Sequence, residues 1–468
     1  MLFVVLISLS CVTASQINEN NTISALESGN DFSALNDAIN TSTQTKSLNL
    51  TKDYTYDSNR DADLSNGITI AIDDLTIDGQ GHTINANNQA RVFNIQSKNV
   101  VLKNIIIINA DYDSSGGAVY WSGSDGKIID CSFKDCVSHN SGGAAYIKNP
   151  ITVINSTFTN NSANFAGAID FESDSTVENC KFEKNFATYL GGAVYSMEKT
   201  SFYNSEFSQN KAGDGGGIYF FMKGFVENSV FENNIAIGYG GAVVNDDSVT
   251  INNSTFIKNI GFVEGGAIFL KGNGAIDNSN FTENSANKTG GAIYAYCDNI
   301  AISDCEFNYN TADEGNSIKV TNNKNIKIVN SVFNNNPSTY ESELKIESSN
   351  VTLTNLSYNN VTKKETTPSK TVVTKKKTFI TAKTKTFKLK TKTKKYSVKL
   401  KSGQTLLKNK KIKLTVKGKS YFAKTNKKGL ATFKLKITKK GKFKAVIRFY
   451  GDNLYKASKK TVYIKIKK

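Results

Sequence analysis

The sequence predicts an all-β solenoid, and three columns that share one period predict it. A small-residue cluster followed by an apolar residue recurs about every 25 residues, as GGAVY at Gly116, GGAAY at Gly142, AGAID at Ala166, GGAVY at Gly191, GGGIY at Gly215, GGAVV at Gly240, GGAIF at Gly265, GGAIY at Gly290 and GNSIK at Gly315. Out of phase with it, but at the same period, run Phe133, Phe158, Phe182, Phe207, Phe231, Phe256, Phe281, Phe307 and Phe333. Five residues before each Phe stands a third column, Ile128, Val153, Val177, Phe202, Val226, Ile251, Ile276, Ile302 and Ile328. Columns locked to one period mean one unit stacked many times. The unit is too short for paired helices and is rich in Asn, Gly, Phe and β-branched residues, so strands must form it. About three short strands per coil are expected, with coils about 4.8 Å apart.

The two large apolar columns both read as core, because neither changes its bulk. Their spacing is odd, so an unbroken strand could not turn both inward. The chain must bend between them. At the bend stand Asn155, Asn179, Asn204, Asn228, Asn253, Asn278, Asn330 and Asn355, with Asp130 and Asp304 as substitutes. Asn tolerates left-handed backbone, and its amide can bond the same amide one coil away. A second Asn column, Asn161, Asn185, Asn210, Asn234, Asn259, Asn284, Asn310 and Asn336, is expected to mark the next turn.

The Gly-Gly-Ala and Phe-x-x-Asn repeats, over roughly residues 65–361, resemble those of chlamydial polymorphic membrane proteins and, more closely, the pectin-lyase-like adhesin-like proteins of methanogenic archaea. The resemblance implies a right-handed parallel β-helix at the cell surface. The outer-membrane barrel that ends the chlamydial proteins has no counterpart in this sequence, which favours the archaeal type.

Residues 1–14, MLFVVLISLSCVTA, read as a secretory signal, an apolar stretch ending at small residues but without a basic start. Sequons such as Asn49-Leu-Thr51, Asn280-Phe-Thr282 and Asn360-Val-Thr362 agree with secretion. No other stretch is long and apolar enough to span a bilayer. Residues 15–66 are expected to cap the solenoid, with Phe32, Leu35, Ala38 and Ile39 at helical spacing after a capping Asp31. A cap is required, since an open end would expose core and strand edges. The β-helix is placed at 67–361, a Lys/Thr-rich linker at 362–378 and an Ig-like domain at 379–468. That last segment alternates with period two, and its NKKGLATFKLK and GDNLYKAS runs resemble bacterial Ig-like repeats of surface proteins.

Charge is divided between these parts. From Lys363 to the end lie 37 of the 58 Lys and Arg but only Glu365 and Asp452 of the acids, a net of +35; the rest carries 21 basic and 39 acidic residues, a net of −18. Lys is a compact point charge suited to diffuse attraction. The expected partner is therefore an anionic cell-envelope polymer or headgroup, held by the basic domain, and not nucleic acid.

A search for chemistry finds little. Pectate-lyase chemistry needs clustered carboxylates for calcium and a cationic residue, usually Arg, to take the substrate proton, and the repeats hold no Arg except Arg91. The paired-Asp, Gly-His-Gly and Arg-x-Lys signatures of polygalacturonase-type hydrolases are missing. His82, in LTIDGQGHTINAN, reads as a turn residue. Asp170, Glu172 and Asp174 would share an outward face and are expected to form a solvated salt-bridge patch with Lys148 and Lys199. Cys131, Cys180 and Cys305 fall in a column otherwise held by Ser; Cys131 and Cys180, about 9.6 Å apart, are beyond disulfide reach, whereas Cys297 could pair with Cys305. No catalytic residue, metal site or cofactor is expected.

One outward column remains. The last position of each GGAIY cluster follows an inward aliphatic residue, so Tyr120, Tyr146, Tyr195, Tyr219, Phe269 and Tyr294 are expected to form an exposed aromatic stripe. Such a stripe could bind a polysaccharide or a surface protein. The sequence thus points to a secreted, cell-wall-associated, adhesin-like surface protein that is not an enzyme. The rivals are a β-helix polysaccharide lyase or glycoside hydrolase, and a passive spacer.

Overall fold

The computed structural model describes residues 29–334, 343–348, 350–359, 376–403, 405–451 and 455–468. The expected signal segment, nearly all of the expected linker and Asn336 lie outside them. The chain forms two compact units, Met1–Thr367 and Pro368–Lys468.

Helix α1 (Phe32–Thr41) begins the first unit as the apolar spacing requires. Asp31 caps it by accepting the Ala34 N–H at 2.8 Å. The Asp61 carboxylate accepts the free N–H groups of Phe32 and Ser33 at 3.0 and 2.8 Å. Phe32, Leu35 and Ile39 are buried on the solenoid core, and Ala38 is half-buried.

One coil illustrates the rest. Strand Ile151–Ile154 bends at Asn155 into Thr157–Thr159, bends again at Asn160 into Ser162–Phe165, turns through the small residues and continues as Ile169–Phe171. Parallel stacking of successive coils builds sheets of 13, 13 and 12 strands. It also builds an eight-stranded sheet, from Asp111–Tyr112 to Ser285–Ala286, that the three-strand expectation lacks. Its inward column is Ala163, Ala187, Ala212, Ala236, Gly261 and Ala286. Those small side chains let the extra strands lie close to the next turn.

The glycine pair has two separate reasons. The first Gly takes a left-handed conformation, with φ of 60–76° from Gly116 to Gly315. The second lies where backbones meet: a Cβ on Gly192 would stand 2.1 Å from the Gly216 carbonyl oxygen.

Both large columns point inward as expected. From Phe133 to Phe333 successive rings stack 4.7–5.0 Å apart and nearly parallel, and Tyr358 extends the stack. The first Asn column is left-handed throughout, with φ of 50–58°. Its amides form an exposed ladder, as in Asn179 to Asn155 at 3.2 Å and Asn253 to Asn228 at 2.7 Å. The second column stands at the next turn, as expected, but the left-handed residue there is the one before each Asn: Asn160, Lys184, Gln209, Asn233, Lys258, Glu283 and Tyr309. The Asn itself is buried and fully bonded. Asn234 Oδ1 accepts both the N–H and the Nδ2 of Asn210 at 3.0 Å, while its own Nδ2 donates to the Phe207 carbonyl at 2.8 Å and to Asn259 Oδ1 at 3.0 Å.

The cysteines are built into these columns. Cys131, Cys180 and Cys305 take Ser positions, where each N–H meets the Ser hydroxyl of the next coil, and Cys136 takes an Asn position. Cys297 and Cys305 are both free, so the pairing left open by the sequence does not form. Burial pushes the thiols of Cys131, Cys136, Cys180, Cys297 and Cys305 up to about 12, leaving them unreactive.

The second unit is a small β-sandwich. One sheet joins Phe379–Thr381, Lys394–Ser402, Thr405–Leu406 and Leu430–Leu435; the other joins Lys385–Lys388, Lys411–Val416, Lys419–Lys424, Gly441–Phe449 and Ser458–Lys467. Alternation fills the interior with Tyr396, Val398, Leu400, Ile412, Leu414, Phe433, Ile447 and Ile464, a core of its own. Ser458, the last residue of GDNLYKAS, opens the final strand.

Candidate binding faces

The aromatic column is outward but not exposed as a stripe. Tyr219, Phe269 and Tyr294 are only 4, 6 and 8 % exposed and form an apolar cluster with Val244. Tyr120, Tyr146 and Tyr195 are half-buried. The cover is the residue just before each glycine pair, which leans over the outward residue of the next coil. Thus Phe165 meets Tyr195 at 6.2 Å, Tyr239 stacks on Phe269 at 4.9 Å, and Leu190 packs on the cluster. In the sequence that covering row mixes Ser141, Phe165, Leu190, Asp214, Tyr239 and Glu264 and shows no periodic chemistry.

Polar groups inside this seam are tied to each other. The Tyr219 hydroxyl donates to Asp246 Oδ2 at 2.7 Å and accepts from Lys271 Nζ at 3.0 Å, and Lys271 also pairs with Asp246 Oδ1 at 3.2 Å. Burial raises the Tyr219 hydroxyl, with Asp246 adding to the effect. At the other end the Arg91 guanidinium stands 3.8 Å over the Tyr112 ring. It donates to the carbonyls of Gly116 at 2.8 Å and Ser115 at 2.5 Å. Burial lowers Arg91 to about 10. The guanidinium therefore braces a glycine turn. His82 is a turn residue whose Nδ1 meets Asp53 at 3.1 Å.

The carboxylates do not form the expected solvated patch. Asp170 is 3 % exposed, sealed by Ser141, whose hydroxyl donates to Oδ2 while Oδ1 finds no partner. Among the described residues no ion pair joins Glu172 or Asp174 to Lys148 or Lys199. Alternation set Asp170 outward correctly, but the covering row then removed it from water. Burial raises its carboxyl to about 7, with Glu172 adding to the rise and Ser141 opposing it.

A raised folded-state value means that the folded chain holds a proton the unfolded chain releases near 3.8, so stability falls as pH rises from about 4 to 7. Asp170→Asn removes this dependence and is expected to be more stable than the wild type at pH 8 by about 2–4 kcal/mol, since each tenfold difference in proton affinity between the two states is worth about 1.4 kcal/mol. Urea titrations of both proteins at acid and alkaline pH check it, the gap closing toward acid pH.

Among the described residues no group of three His, Cys, Asp or Glu could hold a metal ion. No helix there is long and apolar enough to cross a membrane.

The sandwich presents a different surface. Its described residues include no Asp or Glu. Cations instead face cations across the ladders: Lys411 opposite Lys424, Lys413 opposite Arg448, Arg448 opposite Lys459, Lys442 opposite Lys465, and Lys395 opposite Lys434. Like charges at directly opposed positions destabilise a sheet. Several aromatics stand among them, with Lys411 Nζ 4.9 Å from the centre of the Phe422 ring and Lys442 Nζ 4.4 Å from that of Tyr463.

The family matches agree with the coil geometry. Residues 92–256 match the family described as right-handed beta helix region, and residues 278–296 match the Chlamydia polymorphic membrane protein repeat. The first unit is a right-handed parallel β-helix built of stacked repeats. A point mutant of the tailspike protein of E. coli bacteriophage HK620, in complex with a pentasaccharide, is similar to this β-helix protein at 12 % identity and a TM-score of 0.39, over 92 % of this chain and 88 % of that one. No curated protein sequence matches it.

Proposed function

We propose that this is a secreted, adhesin-type surface protein without enzymatic activity, whose basic sandwich holds it to an anionic cell-envelope polymer while the β-helix is displayed. The observation that carries the reading is the set of opposed cations. A sheet that sets Lys413 against Arg448, and Arg448 against Lys459, with no acid among its described residues, maintains repulsion that a polyanion would relieve. Tyr120, Tyr146 and Tyr195 keep part of their rings at the surface, so a sugar or partner surface could reach that end of the column.

A second reading of the solenoid itself is favoured by one observation. With Tyr219, Phe269 and Tyr294 covered from within, half of the aromatic column is satisfied by its own chain, as in a rigid spacer. Retention of the full chain on an immobilised acidic polymer tests the tether. It is expected to be firm at low salt and lost toward about 1 M, where the screening length falls to about 3 Å.

A further inference from the structure

We propose that the sandwich also carries a defined site for an acidic oligosaccharide, laid across the edge strand Lys419–Lys424 with Phe422 at its centre. The inference rests on the polyanion reading above and gives it a location and a ligand class. Lys419–Lys424 is one of the two outermost strands of the five-stranded sheet, and Phe422 on it is 57 % exposed.

A cleft opens on either side of that side chain. One, of about 430 Å³, is walled by Lys410, Lys411, Lys413, Phe449 and Tyr450; the other, of about 550 Å³, by Tyr421, Lys424, Leu430 and Lys434. Both include Phe422, and among the described residues neither has a carboxylate in its wall. Tyr450, 48 % exposed, is a second available ring in the first cleft.

The order across the edge strand is cations, an aromatic face, then cations. A chain of pyranose rings bearing carboxylate or sulfate groups matches that order, with one sugar's C–H face on the Phe422 ring and its charged neighbours in the two clefts. Stacked nucleobases match it less well. They favour an unbroken run of aromatic platforms, whereas here clefts walled by cations adjoin the Phe422 ring. A phospholipid surface would use the cations but has no use for the exposed ring between them.

The test is titration calorimetry of the full chain with a size-defined oligogalacturonate and with its neutral methyl ester. Saturable binding of the acidic form is expected. Phe422→Ser should weaken it about tenfold or more, Phe422→Tyr should restore most of it, and Lys459→Gln combined with Lys467→Gln, in the final strand, should matter much less than Phe422→Ser. Wild-type affinity in Phe422→Ser would overturn the site, as would equal affinity for the neutral ester, for a single-stranded oligonucleotide or for anionic phospholipid vesicles. If Phe422→Ser binds the oligosaccharide normally while the long polymer still holds the chain at low salt, only this inference fails. If the wild type binds neither, the tether reading fails with it.

Discussion

Phe231→Ala is expected to destabilise the solenoid by about 3–5 kcal/mol, read as a shift in the urea midpoint. The ring is fully buried and stacked between Phe207 at 4.7 Å and Phe256 at 4.9 Å, in planes within 6° of parallel. Truncation therefore leaves a cavity between two rings fixed by their own coils, which cannot close over it. Thr250→Ala, at an exposed position on a neighbouring strand, supplies the control and should change stability by less than about 0.5 kcal/mol. Tyr219, although it faces outward, is unsuitable as a control because it is buried and bonded to Asp246.

Asn234→Ala is expected to cost as much or more, about 3–6 kcal/mol, although it removes fewer atoms. The side chain serves four hydrogen bonds at zero exposure. Its loss strands the N–H of Asn210 and one of its two Nδ2 hydrogens, the other being held by the Phe182 carbonyl, and each buried donor left unpaired costs about 1–3 kcal/mol. Asn228→Ala separates the two ladders. Asn228 lies in the exposed ladder, so losing its bonds to Asn204 and Asn253 and its left-handed preference should cost only about 1–2 kcal/mol. Equal losses in the two variants would mean that burial does not distinguish the ladders.

The difference between those two Asn columns marks how far the sequence could be read. Period and inward face were legible because Phe231 and Val226 repeat their bulk in every coil, and the first bend was legible because Asn in left-handed backbone is a local preference. That the second Asn column is buried was not visible, since it depends on the Phe207 carbonyl and the neighbouring amides rather than on Asn itself. A signal was present in the Ala163 and Ala187 column two residues later, small at nearly every repeat because a fourth ladder packs there. The aromatic column was placed on the correct face from its neighbours' alternation. Its covering was illegible, because burial there comes from Phe165, Leu190 and Tyr239, one coil before the residues they shield and chemically irregular. In the sandwich the basic excess was plain from composition, whereas the opposition of Lys413 and Arg448 required the register.

The unbalanced cations of the sandwich are the centre of the account, and salt-dependent retention of the full chain on an immobilised acidic polymer tests them most directly. The wild type is compared with a variant carrying Lys413→Gln, Arg448→Gln and Lys459→Gln, three exposed or half-buried positions on one face of one sheet. The expected result is that the wild type is held at physiological salt and released on the way to about 1 M, with the variant released earlier, since fewer charges are then screened. Retention that neither salt nor the three substitutions change would contradict the account.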